Sequence, residues 1–127
     1  MAEGLTLDSG ALIAAEKGDR VFWALWKKAM DRKARITVPA SVLAQVWRGN
    51  SPVVARVLDV CDVEVLDEPG AKRIGVLLAR DSKGSDIVDA SLVVGATLRG
   101  DAIVTSDPED IDRLVAAQRS EIRVIRI

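Results

Sequence analysis

Four aspartates, Asp8, Asp86, Asp89 and Asp107, carry the chemical interest of this sequence. The chain has no histidine and no tyrosine, which removes the usual neutral-pH general base, triads built on imidazole and histidine-ligated zinc. Its single cysteine, Cys61, can build neither a thiolate metal site nor an internal disulfide. Hydrolytic chemistry would therefore run on carboxylates, hydroxyls, Lys, Arg or a hard metal. Mg²⁺ or Mn²⁺ takes oxygen ligands alone, lowers the pKa of bound water and stabilises charge on a phosphate.

Each acid also has a plainer structural reading. Asp8 and Asp107 precede helices that they can cap, and in "SDIVDASLVVGATLRG" Ser85 reads as the N-cap while Asp86 and Asp89 complement the helix dipole. Asp110 reads as a surface helix residue. Taken together the acids are harder to explain this way, because like charges at close range raise one another's pKa and oppose folding unless a cation sits between them. Near them in sequence only Lys83 and Arg80 are available, so a hard divalent cation is the better partner.

The elements that must position these residues alternate along the chain. "LTL" is a strand, "SGALIAAEKG" a helix running from Ser9 to a stop at Gly18, and "DRVFWALWKKAMDRK" an amphipathic helix. Its apolar face holds Val21, Phe22, Leu25, Trp26 and Ala29, and its wet face Lys27, Lys28, Arg32 and Lys33. "ARITV" reads as a strand closed by Pro39, "ASVLAQVWRG" as a helix ending at Gly49, and "SPVVARVLDVC" as a short helix with Ser51 as N-cap and Pro52 at its first position. "DVEVL" is a strand, "EPGAKRIGVLLARD" a helix, "SKG" a hinge, "DAIVTSD" a strand, "PEDIDRLVAAQ" a helix capped by Ser106 or Asp107, and "IRVIRI" a last strand. With no hairpin signal between adjacent strands, this order predicts an α/β fold with a mostly parallel central sheet and helices on both faces. Functional groups in such a sheet collect beyond the carboxyl ends of the strands, where Asp8 and Asp107 fall and where the helix opened by Asp86 and Asp89 begins.

At 127 residues, about half of them hydrophobic, the chain suits a single domain over residues 1–127. A formal charge of −1 supplies no global basic field, so any nucleic-acid binding must rest on a local patch or on metal ions. There is no basic start followed by a long apolar run and no uninterrupted membrane-length segment, so no membrane association is expected. With one cysteine, a cytoplasmic protein is expected.

"LTLDSGALIA", "SDIVDASLVVGA" and "AIVTSDPEDI" resemble, in order and spacing, the three acidic motifs of the PIN-domain nucleases, and "VPASVLAQVWRG" looks like the segment that follows their second strand. The size is similar to that of the ribonuclease toxins of the VapBC toxin–antitoxin type, and the resemblance spans essentially the whole chain. It implies a PIN-like three-layer fold and a Mg²⁺- or Mn²⁺-dependent endoribonuclease whose cut leaves 5′-phosphate and 3′-hydroxyl ends. It also implies an RNA substrate, a VapB-like antitoxin and a homodimer. Asp8 and Asp89 are then the first metal ligands, Asp107 the next, and Thr105 a hydroxyl near metal or phosphate.

One position departs from the family pattern. Gln45 stands where these toxins usually carry a glutamate, and Asp86 can restore the missing charge from the opposite side. Gln45 either orients water or is a surface amide, and Arg48 either faces phosphate or is solvated. Helical phase places Phe22 and Trp26 in the core and leaves Trp23 and Trp47 between core and protein interface. The alternative to a nuclease is a catalytically silent PIN fold that only binds an antitoxin or a related toxin. A phosphoryl-transfer receiver domain fits less well, since it would want a second aspartate two residues after Asp8, where Gly10 stands.

Overall fold

The computed structural model describes residues 3–127. Strand β1 (Leu5–Leu7) is followed by α1 (Ser9–Glu16) and α2 (Arg20–Asp31); β2 (Ile36–Pro39) by α3 (Ala40–Val46) and α4 (Pro52–Asp59). β3 (Asp62–Glu64) leads into α5 (Glu68–Arg80) and α6 (Ile87–Arg99), β4 (Ala102–Thr105) into α7 (Pro108–Ala117), and β5 (Val124–Arg126) closes the order. The five strands form one sheet in the order β3-β2-β1-β4-β5, with every pairing parallel. The sheet is thus wholly rather than mostly parallel.

Parallel strands covered on both faces read as continuous apolar runs. β1, β2 and β4 are buried along their whole length. Helix α1 packs with α2, α3 and α4, while α6 packs with α5 and α7; both α1 and α6 lie on β1 and β4. Two helical layers on one sheet give the three-layer α/β architecture. α6 accounts for much of the core on its side, with Ala90 through Ala96 buried.

Local chemistry starts the helices where they start. Asp8 Oδ1 accepts from Ala11 N at 2.7 Å, Ser51 Oγ from Val54 N at 3.2 Å and Asp67 Oδ1 from Gly70 N at 2.8 Å, each satisfying an orphan donor of a first turn. Two expectations need correction. α3 ends at Val46, short of Gly49, because Trp47 turns to extended backbone. The cap of α6 is Asp86, not Ser85: its Oδ1 accepts from Asp89 N at 2.8 Å. α6 ends in the left-handed conformation at Gly100 (φ 73°), a backbone state that glycine enters without steric cost.

Candidate functional site

The strand order reverses between β1 and β4: β2 and β3 lie on one side of β1, β4 and β5 on the other. Open parallel sheets bind ligands at such a switch point, outside the carboxyl ends of the two strands. Asp8 follows β1 there, and Thr105, Ser106 and Asp107 end β4 there. The two strand ends touch: Asp8 N donates to Val104 O at 3.1 Å, and a Cβ placed on Gly10 would run into the Ser106 side chain. α6 runs back along the sheet towards β4, which brings its N-terminus, with Asp86 and Asp89, to the same rim.

Electrostatics report how these acids lie relative to one another. Burial pushes the Asp89 carboxyl up to about 6, and the charges of Asp86, Asp110, Asp8 and Asp107 push in the same direction. All four charges act on Asp89 through space, which is consistent with the ends of β1 and β4 and the starts of α6 and α7 lying at one rim of the sheet. Asp8 is 8% exposed; burial raises its pKa, the Thr105 hydroxyl and the Ala11 and Ser106 amides hold it down, and Asp107 raises it again. Asp8 and Asp86 are therefore helix caps and members of this cluster at once. Asp107 stands at the cap position of α7 but makes no capping hydrogen bond; its amide donates instead to Thr105 Oγ1 at 3.0 Å. Its carboxylate is left for other use.

The expected neighbours Lys83 and Arg80 are exposed and make no salt bridge among the described residues. The cation near the cluster is Arg113 of α7, which binds Asp110 Oδ1 at 2.9 Å and Asp81 Oδ1 at 2.8 Å. Asp110 is the half-exposed surface residue of α7 that its sequence position suggests, paired with Arg113 three residues on, and its charge also acts on Asp89. Its spacing to Arg113 was visible in "PEDIDR", but the approach of α7 to α6 was not. Among the described residues no three metal-ligating side chains are grouped closely enough to hold an ion. The donor set is oxygen only and rich in carboxylates, which fits a hard divalent ion and neither zinc nor copper.

The remaining candidates are less engaged. Gln45 is exposed on α3 and makes no side-chain hydrogen bond among the described residues. Arg48 is exposed too, and its Nη1 donates to Trp47 O at 2.8 Å and Ala44 O at 3.3 Å, closing the end of α3. Thr105 is fully buried beneath Asp8 and Asp107, so its hydroxyl shapes the acids from below. Phe22 is core, while Trp23 and Trp26 are partly buried against it; Trp23 Nε1 donates to Ala15 O at 3.2 Å. Trp47 is 42% exposed. A groove lined by Gly10, Ile13, Lys17, Asp19 and Ser106 adjoins the acidic rim. No described helix is long and apolar enough to cross a membrane.

Comparison with known proteins agrees with this architecture. Residues 5–116 match the family model described as PIN domain. No curated protein sequence matches the chain significantly. Among solved structures the fold is similar to a chain of VapBC2 from Rickettsia felis bound to a DNA fragment from its promoter, with TM-score 0.70, 13% identity, and 97% of this chain and 98% of that one covered. It is also similar to a chain of DNA-bound VapBC from Salmonella typhimurium, with TM-score 0.69, 18% identity, and 98% of each chain covered. A third likeness is to FitAB bound to the IR36 DNA fragment, with TM-score 0.68, 15% identity, and 96% and 94% covered.

Proposed function

Because the chain belongs to the PIN domain family, we propose that it is a metal-dependent endoribonuclease, the toxin of a VapBC-type toxin–antitoxin pair acting in the cytoplasm. The observation that carries this reading is the meeting of the ends of β1 and β4, where Asp8 N donates to Val104 O at 3.1 Å, so that Asp8 and Asp107 share the rim at which α6 begins with Asp86 and Asp89. Like charges around the buried Asp8 and the partly buried Asp89 oppose folding, and among these acids Arg113 pairs only with Asp110, so a bound cation would offset the repulsion that remains.

Asp8, Asp89 and Asp107 are the residues that would hold Mg²⁺ or Mn²⁺, with Asp86 supplying charge from the other side and Asp110 beside them. The bound ion supplies an activated water and neutralises charge on the phosphodiester. Asp8 is oriented for this from two directions, by the Ala11 amide at 2.7 Å and by the Thr105 hydroxyl. Asp86, fixed by the Asp89 amide, cannot swing away without uncapping α6. The N-terminal end of α6 adds a positive dipole to a site that must accept an anion.

The partners follow from the same reading: a VapB-like antitoxin and a second copy of the chain, with exposed Trp47 a side chain of the kind that anchors protein interfaces. One observation favours a second reading, a silent PIN fold that binds only an antitoxin or a related toxin: Gln45 is neutral and exposed where a glutamate would strengthen the site. Cleavage of an RNA panel with and without Mg²⁺ or Mn²⁺, by the purified chain and by Asp8→Asn and Asp89→Asn, separates them. Metal-dependent cleavage lost in both variants is expected. Equal residual cleavage in all three proteins would leave the binder.

A further inference from the structure

Arg113 reaches from α7 to three places at once. Its Nε donates to Asp81 Oδ1 at 2.8 Å, its Nη1 to Asp110 Oδ1 at 2.9 Å and its Nη2 to Ser85 Oγ at 2.5 Å. Asp81 caps the end of α5, and its own oxygens accept from Ser85 N at 2.6 Å and Lys83 N at 3.4 Å. One guanidinium and one carboxylate thereby close residues 81–85 into a ring and tie that ring to α7. The Asp81 side chain is covered by its hydrogen-bond partners while the Arg113 side chain is 25% exposed, so the pair lies near the surface and its geometry, with three partners on one guanidinium, is what distinguishes it. The fork uses the planar five-donor geometry that only arginine has.

The ring ends one residue before Asp86, and it contains Gly84 at φ 70°. Released from Arg113, this segment would let the first turn of α6 move relative to the first turn of α7. The geometry points to Arg113 as the positioning residue of the acidic site: it sets Asp86 and Asp89 of α6 against Asp107 and Asp110 of α7, so that acids from separate elements share one ion. The inference rests on the metal-site reading above and adds to it a residue that touches neither ion nor substrate.

A rival role is electrostatic, with Arg113 a built-in counter-cation. The two roles predict opposite responses to substitution. A counter-cation repels a bound ion, so Arg113→Gln would bind Mn²⁺ more tightly and Arg113→Lys as well as wild type does. A positioning fork fails in both variants, because neither side chain reaches three partners.

Mn²⁺ titration of the full chain, followed by calorimetry or by the electron paramagnetic resonance of free Mn²⁺, tests this together with amide hydrogen exchange. Both Arg113 variants are expected to bind about tenfold more weakly, the lower range for loss of a residue that orients metal ligands, with faster exchange across residues 82–90. Ser85→Ala removes one arm of the fork, is expected to shift both readings in the same direction by less, and serves if the Arg113 variants do not fold. Wild-type affinity in Arg113→Lys, tighter binding in Arg113→Gln, or unchanged binding in Ser85→Ala when it is the only variant that folds, overturns the positioning role while leaving the metal site standing. A wild-type chain that binds no more Mn²⁺ than Asp8→Asn overturns the metal reading itself.

Discussion

Gly10 and Ser106 join the two halves of the acidic rim: a Cβ on Gly10 would collide with Ser106 Oγ and lie 2.9 Å from Ser106 Cβ and 3.3 Å from Asp8 Oδ1. Rotating the serine hydroxyl relieves only the first of these contacts. The missing side chain at position 10 is what allows the ends of β1 and β4 to meet.

Gly10→Ala is therefore expected to destabilise the chain despite alanine's better helix propensity, by about 1–3 kcal/mol as overpacked sites do, and to weaken metal binding by displacing Asp8. Gly75, inside α5 with nothing within 4 Å of its would-be Cβ, is the matched control. Gly75→Ala is expected to stabilise by about 0.5–1 kcal/mol. Urea unfolding of both variants measures the contrast, and equal effects of the same sign would remove the packing argument.

Asp86→Asn separates the two duties of that residue, because asparagine caps helices as well as aspartate does. α6 should stay intact by circular dichroism while RNA cleavage falls about as far as in Asp8→Asn. Full cleavage in Asp86→Asn would reduce Asp86 to a cap.

Stability of the metal-free chain should respond to pH in an unusual sense. Asp89 ionises at about 6 when folded, against about 3.9 for an ordinary aspartate. Between those values the folded state holds the extra proton, so unfolding becomes easier as pH rises through this window. Asp8, also raised, acts in the same direction. Asp81 is held well below the usual carboxylate range by Arg113, and its opposite contribution is lost only at more acidic pH. The melting temperature without metal should fall between pH 4 and pH 6, as read by scanning calorimetry with about 3.9 and 6 as the bounds. Mn²⁺ should reverse the fall, and Asp89→Asn should flatten it. A melting temperature that rises steadily across the window in metal-free protein would contradict the burial of Asp89.

Gln45→Glu adds a carboxylate at an exposed position of α3 and should cost little stability. It is expected to lower the Mg²⁺ concentration needed for half-maximal cleavage severalfold. An unchanged Mg²⁺ requirement would place position 45 outside the site.

Much of this protein is legible in its sequence because the relevant physics is local. Apolar runs of three to four residues, helical periodicity and caps such as Asp8 and Ser51 depend on neighbours a few positions away, and they locate all five strands and the helices between them. The acidic motifs are local too. What sequence could not supply is which strand lies beside which: β1 pairs β4 across nearly a hundred residues, Leu7 against Val104, and hydrophobic pattern marks a buried face without naming its partner. That pairing decided that Asp8 and Asp107 share a rim. The approach of α7 to the start of α6 decided that Asp110 joins them and that Arg113, rather than the adjacent Lys83 or Arg80, is the cation in reach. A charge acts through space, and distance in space is what packing alone sets.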